Sequence, residues 1–231
     1  MKNKLIFTSY GLTTKEGQKL IGKELGSYEL EDKKIFLFHE PHYYTESILV
    51  MACVNLGFKE ENIILSGHQM SNQEVLECDI YYCGEGNTFE KLSILRERGL
   101  DSIIKEGFKT GNKIYIGCSA GAAIAGVSVE EIKDFDKNNV GMTVFSGLGL
   151  FDGIIIPHYT KKELKRYISN SYGIEDKYKS ILSVSNEKSL VMEVSWDIRN
   201  QNFYINVFME IDLSMNKFFS SINCNFLNYI I

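Results

Sequence analysis

Short apolar runs alternate along this chain with longer segments whose apolar residues recur at helical spacing. The strand-like runs of the first half lie at residues 4–9, 34–39, 62–66, 79–83 and 113–117. The helical segments between them lie at residues 14–25, 44–56 and 89–109. Strands that alternate with helices in this way predict a mostly parallel sheet with helices on both faces. The predicted fold is therefore α/β in three layers, with right-handed crossovers.

The second half is richer in strand-like runs, and its last segment is hard to place. The runs lie at residues 153–156, 181–184, 190–194 and 203–209, with a hairpin turn expected at 200–202. No linker or repeat divides the chain, so we expect one domain over residues 1–231, with 211–231 as a C-terminal extension. Its apolar end, residues 218–231, fits an edge strand, the contact of a homodimer or a loose tail, and the sequence leaves these open.

Composition and charge narrow the partners. The 231 residues are 44% hydrophobic, enough for one buried core, and the net charge is −5. An acidic chain argues against nucleic-acid or anionic-membrane partners, which require a basic face. No apolar run approaches the roughly 18 residues of a membrane span, and the first residues lack the features of a signal peptide. Five scattered cysteines without metal spacing indicate free thiols, so we expect a cytoplasmic protein.

One motif has the pattern of a catalytic site. Gly117, Ser119 and Gly121 form a G-x-S-x-G pattern that follows the strand at 113–117 and opens the alanine-rich segment 120–125. Strand, sharp turn and helix are the context that a nucleophile elbow requires. The start of the helix offers backbone N–H groups to a developing oxyanion, and that of the residue after the serine is one of them. We therefore predict a nucleophilic serine.

A serine nucleophile needs a base, because its hydroxyl is a weak nucleophile at neutral pH. The chain has four histidines, His39, His42, His68 and His158, and only His158 follows Ser119. It ends an apolar strand, which is where catalytic residues lie in parallel sheets. His39 also ends a strand and is the competing candidate, whereas His42 and His68 have the context of loop residues.

The remaining members of a catalytic site are less determined by the residues alone. A carboxylate should orient the imidazole, and the candidates are Asp134, Asp136, Asp152 and Glu187. A second oxyanion donor should come from a loop beside the serine, and residues 84–87 follow a strand and fit that position. The same loop also fits an ordinary turn in which Asn87 or Thr88 caps the next helix.

Three segments together resemble the dipeptidase E family of serine peptidases, which also includes the cyanophycinases. They read GEGNTF at 84–89, YIGCSAG at 115–121 and PHY at 157–159, against a family pattern of GGGNTF, YIGxSAG and PH followed by Tyr or Phe. The order and the intervals also fit, and the resemblance covers roughly residues 30–195. It implies a fold like that of the class I glutamine amidotransferases, which is flavodoxin-like, with no metal and no cofactor.

The resemblance also implies the site. Ser119 is expected to be the nucleophile and His158 its base, with Gly86 and Ala120 as oxyanion donors. The third member is expected at Asp136, and Glu187 is the alternative, since a carboxylate in that later loop has also been proposed in this family. The implied reaction is hydrolysis of a small peptide through an acyl-enzyme, with an aspartyl dipeptide as the typical substrate.

Two features depart from the family or stay unassigned. The middle glycine of the family loop is Glu85 in this chain, and a carboxylate turned inward would repel an oxyanion or an acidic substrate. An aspartyl substrate also calls for a basic partner in the pocket. Basic residues follow the histidine, but none matches the specificity residue of the family: Lys161, Lys162, Lys165 and Arg166.

Three alternatives remain at this level. An esterase of the α/β-hydrolase type shares the serine motif, although its histidine usually lies late in the chain, and none follows His158 here. A catalytically silent protein of the same fold is kept open by Glu85. A glutamine amidotransferase using Cys118 fits poorly, because Cys118 precedes the apex of the turn.

Overall fold

The computed structural model describes residues 2–39, 43–159, 177–178, 181–187, 189–197 and 202–208. Its strands are β1 (Lys2–Thr8), β2 (Ile35–Phe38), β3 (Ile63–Leu65), β4 (Ile80–Cys83), β5 (Ile114–Cys118), β6 (Ile154–Tyr159), β7 (Ile181–Ser185), β8 (Leu190–Asp197) and β9 (Asn202–Phe208). Its helices are α1 (Lys15–Leu25), α2 (Tyr43–Leu56), α3 (Asn72–Glu77), α4 (Thr88–Glu97), α5 (Leu100–Thr110) and α6 (Ala120–Ala125).

Seven of these strands form one sheet in the order β3-β2-β4-β5-β1-β8-β9. The five strands from β3 to β1 are parallel, and β8 and β9 join antiparallel at the β1 side. The two remaining strands, β6 and β7, pair with each other in parallel. The predicted α/β fold with a mostly parallel sheet is confirmed.

Successive residues of the central strands point to opposite faces of the sheet. In β1, Leu5 and Phe7 join one apolar cluster, whereas Ile6 between them joins the other. Helices α3 to α6 supply the first cluster, and α1 and α2 supply the second. The predicted three layers therefore follow from strands that are apolar on both faces, as parallel strands are when helices cover them.

Two differences from the predicted elements concern the α-helices. The helix expected at 89–109 is two helices, α4 and α5, because Gly99 between them adopts a left-handed φ of 67°. Helix α3 was missed, and it begins at a capping box in which Ser71 and Glu74 bind each other's backbone N–H groups. Such a short helix has too few turns to show an apolar period.

Some predictions fall on parts of the chain outside the description. The hairpin expected at 200–202 agrees with the antiparallel pairing of β8 and β9, in which Asp197 lies opposite Asn202, but residues 198–201 themselves lie outside the described residues. The apolar segment 218–231, and with it the whole C-terminal extension 211–231, lies outside as well.

Candidate active site

Ser119 occupies a strained turn between β5 and α6. Its φ of 52° and ψ of −114° are unusual for a residue with a side chain. Its backbone N–H donates to Thr8 O at 3.0 Å, which ties the turn to the end of β1. The turn also packs closely against β4, because a Cβ on Gly121 would lie 1.9 Å from Cys83 O. The glycine of the motif thus lets α6 start directly against the sheet.

His158 lies at an irregularity in β6 that turns it toward this serine. The pairing of β6 with β7 shifts register between Ile156 and Tyr159, and His158 itself has a φ of 56°. Its Nε2 is 2.8 Å from Ser119 Oγ. Bulges of this kind re-aim side chains next to active sites. Serine and histidine, predicted from separate segments, are therefore hydrogen-bonded.

The other ring nitrogen of His158 faces an amide. Asn186 follows β7, and its Oδ1 is 3.0 Å from His158 Nδ1. Asp136 was expected here from the family pattern. Its Oδ2 instead accepts the N–H of Thr88, the first residue of α4, at 2.7 Å. Glu187, the alternative, is the exposed neighbour of Asn186. The partner of the imidazole in the structure is thus a residue that sequence reasoning passed over.

The loop at 84–87 both turns the chain and caps a helix. Gly86 has a φ of 134°, a conformation that residues with a side chain rarely adopt. Asn87 Oδ1 accepts the N–H groups of Phe89 and Glu90 at 3.0 and 3.1 Å and so caps α4. The predicted capping role of Asn87 is present.

Glu85 is turned to the loop that connects β1 and α1. Its Oε1 accepts the N–H of Gly11 at 2.5 Å and the hydroxyl of Thr13 at 3.1 Å. In the same contact area, the hydroxyl of Tyr82 accepts the N–H of Leu12 at 2.9 Å. The carboxylate that raised doubt about an oxyanion site is therefore held by a neighbouring loop.

Cys118, next to Ser119, lies in the surroundings of an unreactive thiol. Cys118 is fully buried, and its sulfur accepts the hydroxyl of Thr8 at 3.2 Å. Burial raises the pKa of the Cys118 thiol far above its ordinary range. Since the thiolate is the nucleophilic form, Cys118 stays an inert thiol beneath the turn.

The competing histidine belongs to a different cluster. His39 ends β2, and its Nε2 is 3.5 Å from an oxygen of Glu46. The other oxygen of Glu46 is 3.3 Å from His68 Nε2. His39 therefore pairs with a carboxylate, while His42 and the basic residues Lys161, Lys162, Lys165 and Arg166 lie outside the described residues.

Two contacts of the site come from residues after β1 that carried no sequence signal. Ser9 Oγ accepts the N–H of His158 at 2.9 Å, and the ring of Tyr10 meets the ring of His158 edge-on, with centroids 5.7 Å apart. They lie here because β1 is the neighbour of β5 in the sheet. Only the order of the strands could have indicated this.

Within the described ranges, no group of three or more His, Cys, Asp and Glu side chains has the arrangement of a metal site. In the same part of the chain, no helix combines the length and the apolar character needed to cross a bilayer.

Comparison with known proteins matches this chain to a family model. Residues 38–195 match the model of peptidase family S51. An uncharacterised peptidase of Listeria monocytogenes is 34% identical over 117 residues, which are 48% of this chain and 55% of that protein. A peptidase E of Shewanella amazonensis is 36% identical over 110 residues, 46% of each chain. The chain spans about half the length of the relatives it matches.

Solved structures support the same fold. The crystal structure of a peptidase E-like protein from Listeria monocytogenes covers 90% of this chain and 100% of its own, with a TM-score of 0.62 and 23% identity. A peptidase from an acI-B1 actinobacterium also covers 90% of this chain, with a TM-score of 0.59 and 14% identity. At these identities the likeness establishes a shared fold.

Proposed function

Since this chain belongs to peptidase family S51, we propose that it is a serine peptidase that hydrolyses small peptides through an acyl-enzyme. Ser119 is the nucleophile and His158 is its general base. The observation that carries the proposal is the 2.8 Å hydrogen bond between Ser119 Oγ and His158 Nε2. Nucleophile and base within hydrogen-bond reach are the signature of covalent acyl transfer.

The first half of the reaction forms the acyl-enzyme. His158 Nε2 takes the proton of Ser119 Oγ as the oxygen attacks the peptide carbonyl. The carbonyl oxygen becomes an oxyanion, which the N–H groups of Ala120 and Gly86 bind. Ala120 is the first residue of α6, and the first N–H groups of a helix have no partner within it.

The second half releases the products. The imidazolium of His158 gives its proton to the leaving amine, which departs as the C–N bond breaks. A water molecule then attacks the acyl group, with His158 again as base, and the ester bond to Ser119 breaks. Every proton that leaves the serine or the water thus passes through Nε2 and reaches a product or the serine.

Asp136 supports this site indirectly in the proposal. Its carboxylate binds Thr88 N–H at the start of α4, directly after the loop that carries Gly86. Asn87 Nδ2 also donates to Lys137 O at 2.9 Å. Asp136 is therefore a positioning residue for the loop at 84–87, and it affects the rate by fixing the position of Gly86.

The substrates are proposed to be short peptides with an acidic N-terminal residue, as the resemblance to dipeptidase E implies. The proposed setting is the cytoplasm, which agrees with the free thiols of Cys53, Cys78, Cys83 and Cys118. A panel of Asp-X, Glu-X and neutral-X dipeptides, with simple esters beside it, separates an aspartyl dipeptidase from a broader peptidase and from an esterase.

The decisive experiment compares two adjacent residues. Ser119→Ala should lower kcat/KM by about 10³- to 10⁶-fold and abolish labelling by a fluorophosphonate probe. Cys118→Ala is the matched control, since its side chain is buried below the turn, and it should keep both properties. Peptide hydrolysis at the wild-type rate in Ser119→Ala would refute the proposal.

A further inference from the structure

We infer that Asn186 is the third member of this site, a neutral positioning residue that fixes the orientation of His158 without adding a charge. The inference rests on the proposed function of Ser119 and His158. It assigns to an amide the place that a carboxylate usually holds in such sites.

The geometry places Asn186 and Ser119 on opposite edges of the imidazole. Asn186 Oδ1 is 3.0 Å from Nδ1, and Ser119 Oγ is 2.8 Å from Nε2. An amide oxygen is an acceptor only, so Nδ1 must carry the proton in this arrangement. Nε2 is then unprotonated and accepts the hydroxyl of Ser119. Asn186 thereby selects the tautomer in which His158 is a base.

The backbone around Asn186 is held by the same contacts that hold His158. β7 ends at Ser185, which lies opposite Tyr159 in the register with β6. Ser9 links the two strands, because its hydroxyl accepts His158 N–H and donates to Val184 O. The position of the Asn186 amide relative to the ring is thus fixed by the pairing of β6 with β7 and by the hydrogen bonds of Ser9 to both strands.

Two of the four carboxylates that the sequence offered as partners of the ring, Asp136 and Glu187, have other positions, and so does the carboxylate of Glu85. The carboxylate of Asp136 binds Thr88 N–H, and that of Glu85 binds Gly11 and Thr13. Glu187 follows Asn186 and is exposed. Tyr10, a titratable side chain, contacts the ring edge-on. Both ring nitrogens are occupied by neutral groups, Asn186 and Ser119.

A neutral partner and a carboxylate should differ in the pH at which His158 becomes protonated and stops acting as a base. A carboxylate beside an imidazole stabilises the imidazolium, so the base is lost to protonation at a higher pH. An amide oxygen orients the ring, as the asparagine of papain-like proteases does, but favours the charged form much less. This site should therefore keep its base active further toward acid pH than the same site with Asp at position 186.

The test uses the rate of fluorophosphonate labelling of Ser119 across a range of pH, which needs no knowledge of the substrate. Asn186→Ala should slow labelling by about 10- to 100-fold at every pH, because the tautomer is no longer selected. Asn186→Asp has nearly the same shape and should label at least as fast at alkaline pH. On the acidic side of the pH profile, the labelling rate of Asn186→Asp should fall at a pH about one unit higher than in the wild type.

Two results would overturn the inference. The first is labelling of Asn186→Ala at the wild-type rate, and the second is an Asn186→Asp profile that coincides with that of the wild type. If Asn186→Ala fails to fold by circular dichroism, the near-isosteric Asn186→Asp decides alone. Glu187→Gln is the matched control on the next residue, and a changed profile there would transfer the role to Glu187. Absence of labelling in the wild-type protein refutes the proposed function itself, which is a separate outcome.

Discussion

The hydroxyl of Ser9 accepts the backbone N–H of His158 at 2.9 Å. His158 has a φ of 56°, a conformation that costs free energy for a residue with a side chain and persists only where its surroundings enforce it. Ser9 also donates to Val184 O at 2.8 Å. One hydroxyl just after β1 thus joins β6 and β7 and helps to hold the imidazole in position.

Ser9→Ala should therefore lower kcat by about 10- to 100-fold, because small displacements of a catalytic group are costly. The measurement is steady-state hydrolysis together with the labelling rate of Ser119. Ser66→Ala is the matched control, since the hydroxyl of Ser66 likewise makes two hydrogen bonds to the backbone, in its case both to His39. Both variants should lose about 1–3 kcal/mol of unfolding free energy, but only Ser9→Ala should lose rate. An equal loss of kcat in both would contradict this role of Ser9.

Gly86→Ala tests the proposed role of the Gly86 N–H as an oxyanion donor. With a φ of 134°, position 86 disfavours a side chain, and the strain should shift the N–H that is proposed to bind the oxyanion. We expect kcat to fall about 100-fold and the unfolding free energy to fall by about 1 kcal/mol or more.

Gly57 provides the control for strain alone. It has a φ of 111°, and the nearest atom to a Cβ built there is Leu30 Cβ at 3.9 Å. Gly57→Ala should therefore cost a similar free energy of unfolding without loss of kcat. If Gly86→Ala behaved in the same way as Gly57→Ala, its N–H would have no part in catalysis.

The change in kcat on removal of the Glu85 carboxylate distinguishes a structural role of this group from repulsion of the substrate. If its carboxylate braces the loop at Gly11 and Thr13, Glu85→Ala leaves their N–H and hydroxyl without this acceptor and should cost about 1–3 kcal/mol of unfolding free energy. Its kcat should fall, whereas Glu85→Gln, which keeps an oxygen, should retain more of both. A rise in kcat in Glu85→Ala would indicate that the carboxylate opposes the substrate.

Buried thiols should make the protein less stable in alkali. Burial raises the pKa of the Cys53 thiol from 9.0 to about 12. Between these values the unfolded chain has lost the proton and the folded chain retains it, so the unfolding free energy falls as pH rises. One thiol contributes a slope of about 1.4 kcal/mol per pH unit.

Urea unfolding under reducing conditions at several pH values above 8.5 measures this slope. Cys53→Ala should give a shallower slope than the wild type by the contribution of one thiol. Burial also raises the pKa of the other buried thiols and of Tyr81, Tyr82 and Tyr115, and these groups contribute to the remaining slope. Parallel stability curves for the two proteins would show that Cys53 ionises equally in the folded and unfolded states.

Lys91 is a buried charge whose removal should stabilise the protein. It is fully buried in α4, and its Nζ has no hydrogen-bond partner among the described residues. The ring of Phe38 lies below it, with the centroid 5.1 Å from Nζ. Replacing an unpaired buried charge by an apolar side chain of similar size is favourable. Lys91→Met should raise the unfolding free energy by about 1–3 kcal/mol, and a fall would reveal an anionic partner of the ammonium.

Much of the fold was predictable because its signals are local. Each parallel strand is a short apolar run, since helices cover both of its faces. The break at Gly99 and the short helix α3 were missed because a left-handed residue or a capping box at Ser71 leaves little trace in apolar spacing.

The sequence by itself determined the sharp turn at Ser119, because the strand, the serine and the helix are contiguous and the turn is a property of adjacent residues. It also indicated His158, the one histidine after the serine. What the tertiary structure alone decided is the set of residues that surround them. Ser9 lies 149 positions from His158 and Asn186 lies 28 positions from it, and they meet only because of the order of the strands and the register of β6 with β7. A hydrogen bond between distant residues depends on that arrangement, and no local pattern in the chain encodes whether Asn186 or a nearby carboxylate faces the imidazole.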